Sequence, residues 1–349
     1  MSNIGIAIFG AGRAGHGHAR AIGQTEGAQL VAVFDVDAER AGSFAETHGC
    51  AAYTSSEDVL RRDDVQLVMI ALPNFLHPQA TIDAASAGKH VFLGKPMGNT
   101  VEECDRMLEA VERAGVQLLV AHSQRYFAST IRAREILQSS DLGEPVFATD
   151  TWYKNFGIEI RLPWFLDRAT GGGMWLMNGA HMIDRTCWVL DTEVESVRAW
   201  IGSPFHNLPA DDANMVFVTL RNGKHATIVH AGYKTRGVDK CEVEITCTNG
   251  MLVFDSYSNR LAVDQDGGYR PIEMERTEPF TEELKNLIGA VKGTEALRVP
   301  PRWGRHIVEV LLAAEESSRS GREVTVGASG ISQRSPRPRD ASVPSLPRS

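Results

Sequence analysis

Ile4-Gly5-Ile6-Ala7-Ile8-Phe9-Gly10-Ala11-Gly12-Arg13-Ala14-Gly15 is the stretch on which the reading of this chain turns. A run of apolar and small residues leads straight into a Gly-x-Gly-x-x-Gly turn, and a helical pattern, Arg13–Gln24, follows. In such a strand, turn and helix the first glycine permits the tight turn. The second lets the backbone approach a pyrophosphate, and the third lets helix and strand pack closely. The start of the helix offers free N–H groups and the positive end of its dipole to phosphates. Glycine-rich turns are common, so the motif alone decides little. Asp35 decides more. It ends the second strand pattern, Leu30–Phe34, where a carboxylate accepts hydrogen bonds from the adenosine ribose and repels a 2′-phosphate. Arg40, one turn into the next helix, reaches the same edge, where an arginine can instead receive a 2′-phosphate. The expectation is a dinucleotide site that prefers NAD to NADP.

Outward from this turn, buried-strand patterns (Ile4–Phe9, Leu30–Phe34, Val65–Leu72, His90–Leu93, Gln117–Ala121) alternate with helical ones (Arg13–Gln24, Ala38–Thr47, Ser56–Arg62, Pro78–Ala87, Val101–Ala114). That alternation predicts a Rossmann-type parallel sheet covered on both faces over residues 1–123. After Ala121 the pattern changes. A helix near Phe127–Ser139 is followed by longer, alternating strands: Val146–Lys154, Glu195–Ile201, Asn214–Leu220, His225–Tyr233, Cys241–Cys247, Met251–Phe254 and Leu261–Asp264. Arg221-Asn222-Gly223 and Thr248-Asn249-Gly250 supply hairpin turns. Helices near Phe280–Val291 and Trp303–Ser318 close the chain. Residues 124–327 are therefore expected to form an α+β substrate-binding and oligomerisation domain on a mostly antiparallel open sheet. The α/β class covers the whole. Residues 328–349, rich in Ser, Pro and Arg, are expected to be a disordered tail.

Of 349 residues, 43% are apolar and 23% charged, ordinary values for a globular protein. The net charge of -8 argues against a nucleic-acid partner, which needs a basic face. No apolar run reaches the roughly 18 residues that span a bilayer, and no basic leader precedes the first strand. The five cysteines fit no zinc or redox spacing, so reduced thiols in a cytoplasmic protein are expected. His16 and His18, two apart on a helix, point to different faces and cannot share a metal; none is expected.

Three further segments, with the glycine turn, make the chain resemble the Gfo/Idh/MocA family of NAD(P)-dependent oxidoreductases. They are Ala71-Leu72-Pro73-Asn74-Phe75-Leu76-His77, Gly88-Lys89-His90-Val91-Phe92-Leu93-Gly94-Lys95-Pro96, and Gly171-Gly172-Gly173 followed by Gly179-Ala180-His181-Met182-Ile183-Asp184. They are similar to the family's Pro-Asn-x-x-His turn, its Gly-Lys-His-Val segment running into Glu-Lys-Pro, and its Gly-Gly-Gly…Asp-x-Gly-x-His-x-x-Asp stretch. The resemblance spans residues 3 to 326. It implies oxidation of a secondary hydroxyl of a sugar, cyclitol or diol, or the reverse. It places Leu72, Pro73, Asn74, His77, Gly94 and Lys95 around the cofactor, Lys95 beside the nicotinamide ring, and His181 facing it from the second domain. A lysine or histidine there can accept the hydroxyl proton. A homo-oligomer, dimer or tetramer, is also implied.

Two positions depart from the family pattern. Its catalytic Asp falls on Met177 and the Glu of Glu-Lys-Pro on Gly94. Asn178 can supply hydrogen bonds in place of the Asp, and Asp184, three residues from His181, can orient its ring. Before the triple glycine, Trp152-Tyr153-Lys154-Asn155 and Arg161-Leu162-Pro163-Trp164-Phe165-Leu166-Asp167-Arg168 combine aromatics suited to a sugar face with cations. Lys154, with Arg161 or Arg168, can bind a carboxylate, sulfonate or phosphate. Trp164, Asn178 and His181 complete the expected substrate contacts. The leading expectation is NAD-dependent dehydrogenation of a polyol, sugar or cyclic diol, neutral or anionic. The alternatives are a glycoside-cleaving enzyme that oxidises transiently with NAD kept bound, and an NAD-dependent binding or regulatory protein without catalysis.

Overall fold

In the first half, strands and helices alternate: β1 (Ile4–Phe9), α1 (Arg13–Gly23), β2 (Ala28–Phe34), α2 (Ala38–His48), β3 (Ala51–Tyr53), α3 (Ser56–Leu60), β4 (Leu67–Ile70), α4 (His77–Ser86), β5 (His90–Leu93), α5 (Val101–Ala114) and β6 (Leu118–Val120). This computed structural model describes residues 3–139 and 142–327. The expected tail, 328–349, lies outside the described residues. The first six strands form one parallel sheet in the order β3-β2-β1-β4-β5-β6. Alternation along β1 explains its double cover: Ile4, Ile6 and Ile8 enter one core, Ala7 and Phe9 the other. Thr100 and Glu103 build a full capping box at the start of α5, and Gly115 ends it in the left-handed conformation. The order reverses between β1 and β4, and ligands bind at the carboxyl ends of strands beside such a reversal.

The second half contains α6 (Ala128–Ser139), β7 (Pro145–Asn155), α7 (Ala180–Val189), β8 (Val194–Gly202), β9 (Ala213–Leu220), β10 (His225–Tyr233), β11 (Lys240–Cys247), β12 (Gly250–Asp255), β13 (Arg260–Gln265), β14 (Gly268–Pro271), α8 (Pro279–Val291), α9 (Pro301–Ser320) and β15 (Val324–Thr325). Its sheet runs β14-β13-β12-β11-β7-β10-β9-β8-β15. Every neighbouring pair is antiparallel except β7 with β10. The inner face packs on α6, α7 and α9. On the outer face Phe147, Trp200, Met215 and Phe217 are exposed.

Two late helices join the halves. Leu284, Leu287 and Ile288 of α8 complete the core around Ile4, Ile6 and Ile8. In α9, Val308 enters the first half's core while Ile307, Val310 and Leu311 enter the second's. The short strands β3, β14 and β15 carry too few residues to show a period in the sequence. The Val65–Leu72 pattern yields the strand Leu67–Ile70, although the Gln66 and Ala71 N–H groups still donate to Gly5 and Phe9 of β1. No helix among the described residues is long and apolar enough to cross a membrane.

Candidate active site

The glycine turn leaves β1 with Gly10 at φ +104°, a conformation L side chains rarely adopt. A Cβ on Gly10 would meet the Ala71 carbonyl at 2.7 Å and Leu72 at 3.3 Å, so the two turns at the reversal abut. A Cβ on Gly15 would sit 2.1 Å from the Gly10 carbonyl, which is the close helix–strand approach. Gly12 meets nothing within 4 Å, leaving open space before Arg13 and Ala14 at the start of α1. This arrangement fits a dinucleotide pyrophosphate.

Asp35 is nearly buried behind that turn. Its Oδ2 accepts from the Ala11 N–H at 3.0 Å and from Arg40 Nε at 2.9 Å. Its Oδ1 accepts from the Asp37 N–H at 3.0 Å and from Arg40 Nη2 at 2.5 Å. Burial works against the charged carboxylate, but the bonds from Arg40, Asp37 and Ala11 outweigh it and lower its pKa. Arg40, which the sequence left able to receive a 2′-phosphate, is thus held by Asp35 in a bidentate pair. The remaining cofactor-side residues fasten the turns. Asn74 Nδ2 donates to Asn99 Oδ1 (2.9 Å) and to the Gly171 carbonyl (2.8 Å), linking the two halves. The His77 ring nitrogens lie 2.9 Å from the Pro96 carbonyl and 3.0 Å from that of Leu72. Burial lowers the His77 pKa to about 4. Pro73 begins the short helical turn that carries Asn74. Gly94 sits on Ile70 and His77, with 3.3 Å and 3.4 Å available to a Cβ.

Lys95 follows β5 at the carboxyl edge of the parallel sheet. Its Nζ donates to the Met177 carbonyl at 2.7 Å, across the gap between the halves. Burial, then Lys154 and Arg161, lower its pKa to about 7. None of these neighbours is a carboxylate. Met177 therefore meets the lysine with its backbone, while its side chain packs against the Phe156, Phe165 and Met174 cluster. Trp175–Gly179 forms a π turn that runs into α7, and such turns gather at functional sites. His181 follows. Its Nδ1 is buried without a hydrogen bond among the described residues, and burial, then Lys95, push its pKa well below the ordinary value.

Trp152 of β7 is the centre of the side expected to hold substrate. Its ring lies 6.4 Å from His181, 5.5 Å from His230 and 5.2 Å from Tyr257, with Lys154 Nζ 5.1 Å from its centroid. Strand period explains the grouping: Asp150, Trp152 and Lys154 share a face of β7, and Trp152 pairs with His230 on β10 and Cys241 on β11. Asn178 Nδ2 is 3.3 Å from His230 Nε2. Arg161 arrives from the following loop, fixed by its Nε donating to the Phe156 carbonyl (3.0 Å) and by the Phe165 ring 4.4 Å away. Trp164 packs edge-on against Phe165 at 5.9 Å, its Nε1 buried without a partner among the described residues.

Two expected partners go elsewhere. Asp184 does not reach His181. Its Oδ1 accepts from Arg125 Nε (2.8 Å) and Trp303 Nε1 (2.7 Å), stronger donors brought by other elements. Arg168 is not free for substrate, because Glu315 on α9 takes it in a bidentate pair at 2.5 and 2.8 Å. Conversely, the sequence reading missed His122, Gln124, His230 and Tyr257. His230 carried a signal: the alternation of β10 puts it on the buried face with Ala226 and Ile228. His122, just beyond β6, lies at the same sheet edge as Lys95. His16 and His18 point apart as their spacing requires, His16 to His48 (2.8 Å) and His18 against Phe92 and Phe280.

Comparison with known proteins adds to this geometry. Residues 4–122 match the family model described as oxidoreductase family, NAD-binding Rossmann fold, and residues 130–253 match the GFO/IDH/MocA C-terminal domain. The chain is 27% identical over 333 residues to an inositol 2-dehydrogenase of Rubrobacter xylanophilus, covering 91% of this chain and 92% of that one. It is 28% identical over 226 residues to a 2,7-anhydro-N-acetylneuraminate hydratase of Mediterraneibacter gnavus, covering 63% and 59%. In fold it is similar to GenD2 from gentamicin A biosynthesis, solved in complex with NAD, with a TM-score of 0.84 at 22% identity, covering 94% of this chain and 97% of that one.

Proposed function

The chain belongs to the GFO/IDH/MocA oxidoreductase family, and we propose that it is a cytoplasmic NAD-dependent dehydrogenase acting on a secondary hydroxyl of a sugar, cyclitol or cyclic diol. The observation that carries this reading is Lys95 Nζ, fixed at 2.7 Å from the Met177 carbonyl at the mouth of the Rossmann sheet, with a pKa drawn down to about 7. In this reading residues 1–123 hold NAD and residues 124–327 hold the substrate. Gly10, Gly12, Arg13, Ala14 and Gly15 take the pyrophosphate. Asp35 and Arg40 border the adenosine, and Leu72, Pro73, Asn74, His77 and Gly94 line or support the nicotinamide side. When bound, NAD supplies the ring that accepts the hydride from the carbinol carbon. Lys95, as the neutral amine, takes the hydroxyl proton on Nζ while its own N–H to Met177 keeps it aimed. His181 and Asn178 position the hydroxyl, and His230, which Asn178 touches, joins them. Trp164 with the Phe156 and Phe165 cluster walls the pocket. The exposed apolar strip of Phe147, Trp200, Met215 and Phe217 on the open sheet suits pairing with a second copy, as a dimer or tetramer. The test is absorbance at 340 nm with NAD and a panel of polyols, cyclitols and aldoses. No NADH from any of them, at any pH between 6 and 9, would overturn the reading.

A second reading is redox-assisted cleavage of a glycoside, in which the substrate is oxidised, loses its leaving group and is re-reduced on the same NAD. It is favoured by the absence of a carboxylate among the groups that shift Lys95, and by the similarity to a hydratase. Turnover of a glycoside without net NADH would select it.

A further inference from the structure

The cations of this protein fall into two sets. Buried or half-buried Arg125 is paired with Asp184, Arg168 with Glu315 and Arg185 with Asp150. Lys154 and Arg161 are partly buried as well, yet no carboxylate or hydrogen-bond acceptor among the described residues meets Lys154 Nζ or the terminal nitrogens of Arg161. Lys154 Nζ stands over the Trp152 ring, and both cations act electrostatically on Lys95 and on His230. Taking a charge out of water costs several kcal/mol unless it is matched, and the other buried arginines here are matched. Bound NAD would bring its positive nicotinamide ring to this side, while its pyrophosphate dianion would be met by Arg13 and the N–H groups at the start of α1.

We propose that the substrate carries a carboxylate, held jointly by Lys154 Nζ and the Arg161 guanidinium beside Trp152. This deepens the dehydrogenase reading and rests on it. Three features fit a carboxylate rather than a phosphate ester. Arg161 is anchored through Nε and two aromatic rings, Phe156 and Phe165, which leaves its outer nitrogens for a planar acceptor. Lys154 stands one strand repeat beyond Trp152, so the acid group lies next to the sugar ring rather than at the end of a long substituent. A single negative charge leaves Lys154 and Arg161 with one net positive charge, so Lys95 is still repelled and stays easy to deprotonate. A dianion would cancel that repulsion and make protonated Lys95 easier to hold, which would weaken the base.

The test is calorimetric titration of the NADH complex, in which no hydride can be taken up, with glucuronate, galacturonate and mannuronate. Each is compared with its parent hexose and with the hexose 6-phosphate. At least one uronate is expected to bind about 10-fold or more tightly than its parent hexose. That ratio is expected to fall below about 3-fold in Arg161→Met and in Lys154→Met and to return in part in Arg161→Lys, with the unfolding midpoint reporting that each variant is folded. Equal binding of each uronate and its hexose, tighter binding of the 6-phosphates, or a preference that survives both substitutions overturns the proposal. NADH formation at 340 nm separates the two ideas. A preferred uronate that never reduces NAD sinks the dehydrogenase reading alone. A neutral sugar oxidised as well as its uronate sinks the carboxylate alone.

Discussion

The glycine turn and the Trp152 pocket face each other across one gap, and they are built on opposite rules. Around the turn, most polar groups are consumed internally: Asp35 by Ala11, Asp37 and Arg40, Asn74 Nδ2 by Asn99 and Gly171, His77 by Leu72 and Pro96, while Asn74 Oδ1 is left without a partner among the described residues. Around Trp152 they are left open. His181 Nδ1, His230 Nδ1 and both ring nitrogens of His122 are buried without hydrogen-bond partners among the described residues. Such groups cost about 1–3 kcal/mol each unless something else satisfies them. The first region is a finished scaffold that presents backbone to a constant ligand. The second is an incomplete one that the substrate completes.

The sharpest way to break this contrast is Lys95→Met. Lys95 is where the two regions meet, and the base role predicts a loss in single-turnover hydride transfer of ~10³-fold or more, beyond a common acid–base contribution of ~10²-fold. NAD affinity is expected to change little. His181→Ala, which removes a positioning group, should cost less. If His181→Ala is inactive and Lys95→Met nearly active, the roles are reversed.

Stability offers the next test. Arg185→Met leaves Asp150 buried with only the Thr186 hydroxyl in support and should destabilise the protein by about 3–5 kcal/mol. Arg161→Met removes a cation that lacks an ion pair, so it should lie within about 1 kcal/mol of the parent. Denaturant unfolding of both variants measures the difference. Similar losses would mean that the Arg161 charge is satisfied in the folded protein after all.

The same contrast explains what the sequence disclosed. The glycine turn is local, six residues whose roles follow from backbone sterics, so it is legible without the rest of the chain. The period-2 runs of β7 and β10 were legible too, and their register determines that His230 meets Trp152. What stayed hidden depends on distant arrivals. Arg125 reaches Asp184 from 59 residues away, and Glu315 reaches Arg168 from 147. Spacing on one helix made Asp184 a neighbour of His181, but spacing says nothing about a stronger donor brought in by another element.

Asp35→Ala sharpens the description of the turn. NAD is expected to bind at least ~10-fold more tightly than NADP to the parent protein, since a carboxylate repels a 2′-phosphate. The variant should narrow that gap by two routes: the repulsion goes, and Arg40 loses its bidentate partner and becomes available to the phosphate. Calorimetric titration of both cofactors decides it. An unchanged ratio would remove Asp35 from cofactor choice.

The smallest expected effect tests whether the open charges of the pocket reach the base. As the base, Lys95 is active when neutral, so turnover of a neutral substrate should rise with pH through about 7 and level off above it. Burial is the main cause of that low pKa, and Lys154 and Arg161 add to it. His77, His122 and His181 also lie in its electrostatic surroundings, but burial keeps all three largely neutral at this pH. Arg161→Met removes one of the two repelling cations and leaves burial in place. The protonated form of Lys95 becomes easier to hold, its pKa rises, and the midpoint of the pH–rate profile moves to higher pH. A shift of about half a unit corresponds to roughly 0.7 kcal/mol and lowers turnover at pH 7 by no more than about threefold. Above pH 9 the two proteins should converge, because Lys95 is then neutral in both. Pre-steady-state hydride transfer, free of product release, is the measurement. An unmoved midpoint would mean that the Arg161 charge is screened from Lys95. A rate that falls rather than rises with pH through this midpoint would mean that the protonated form is the active one and that Lys95 donates rather than accepts.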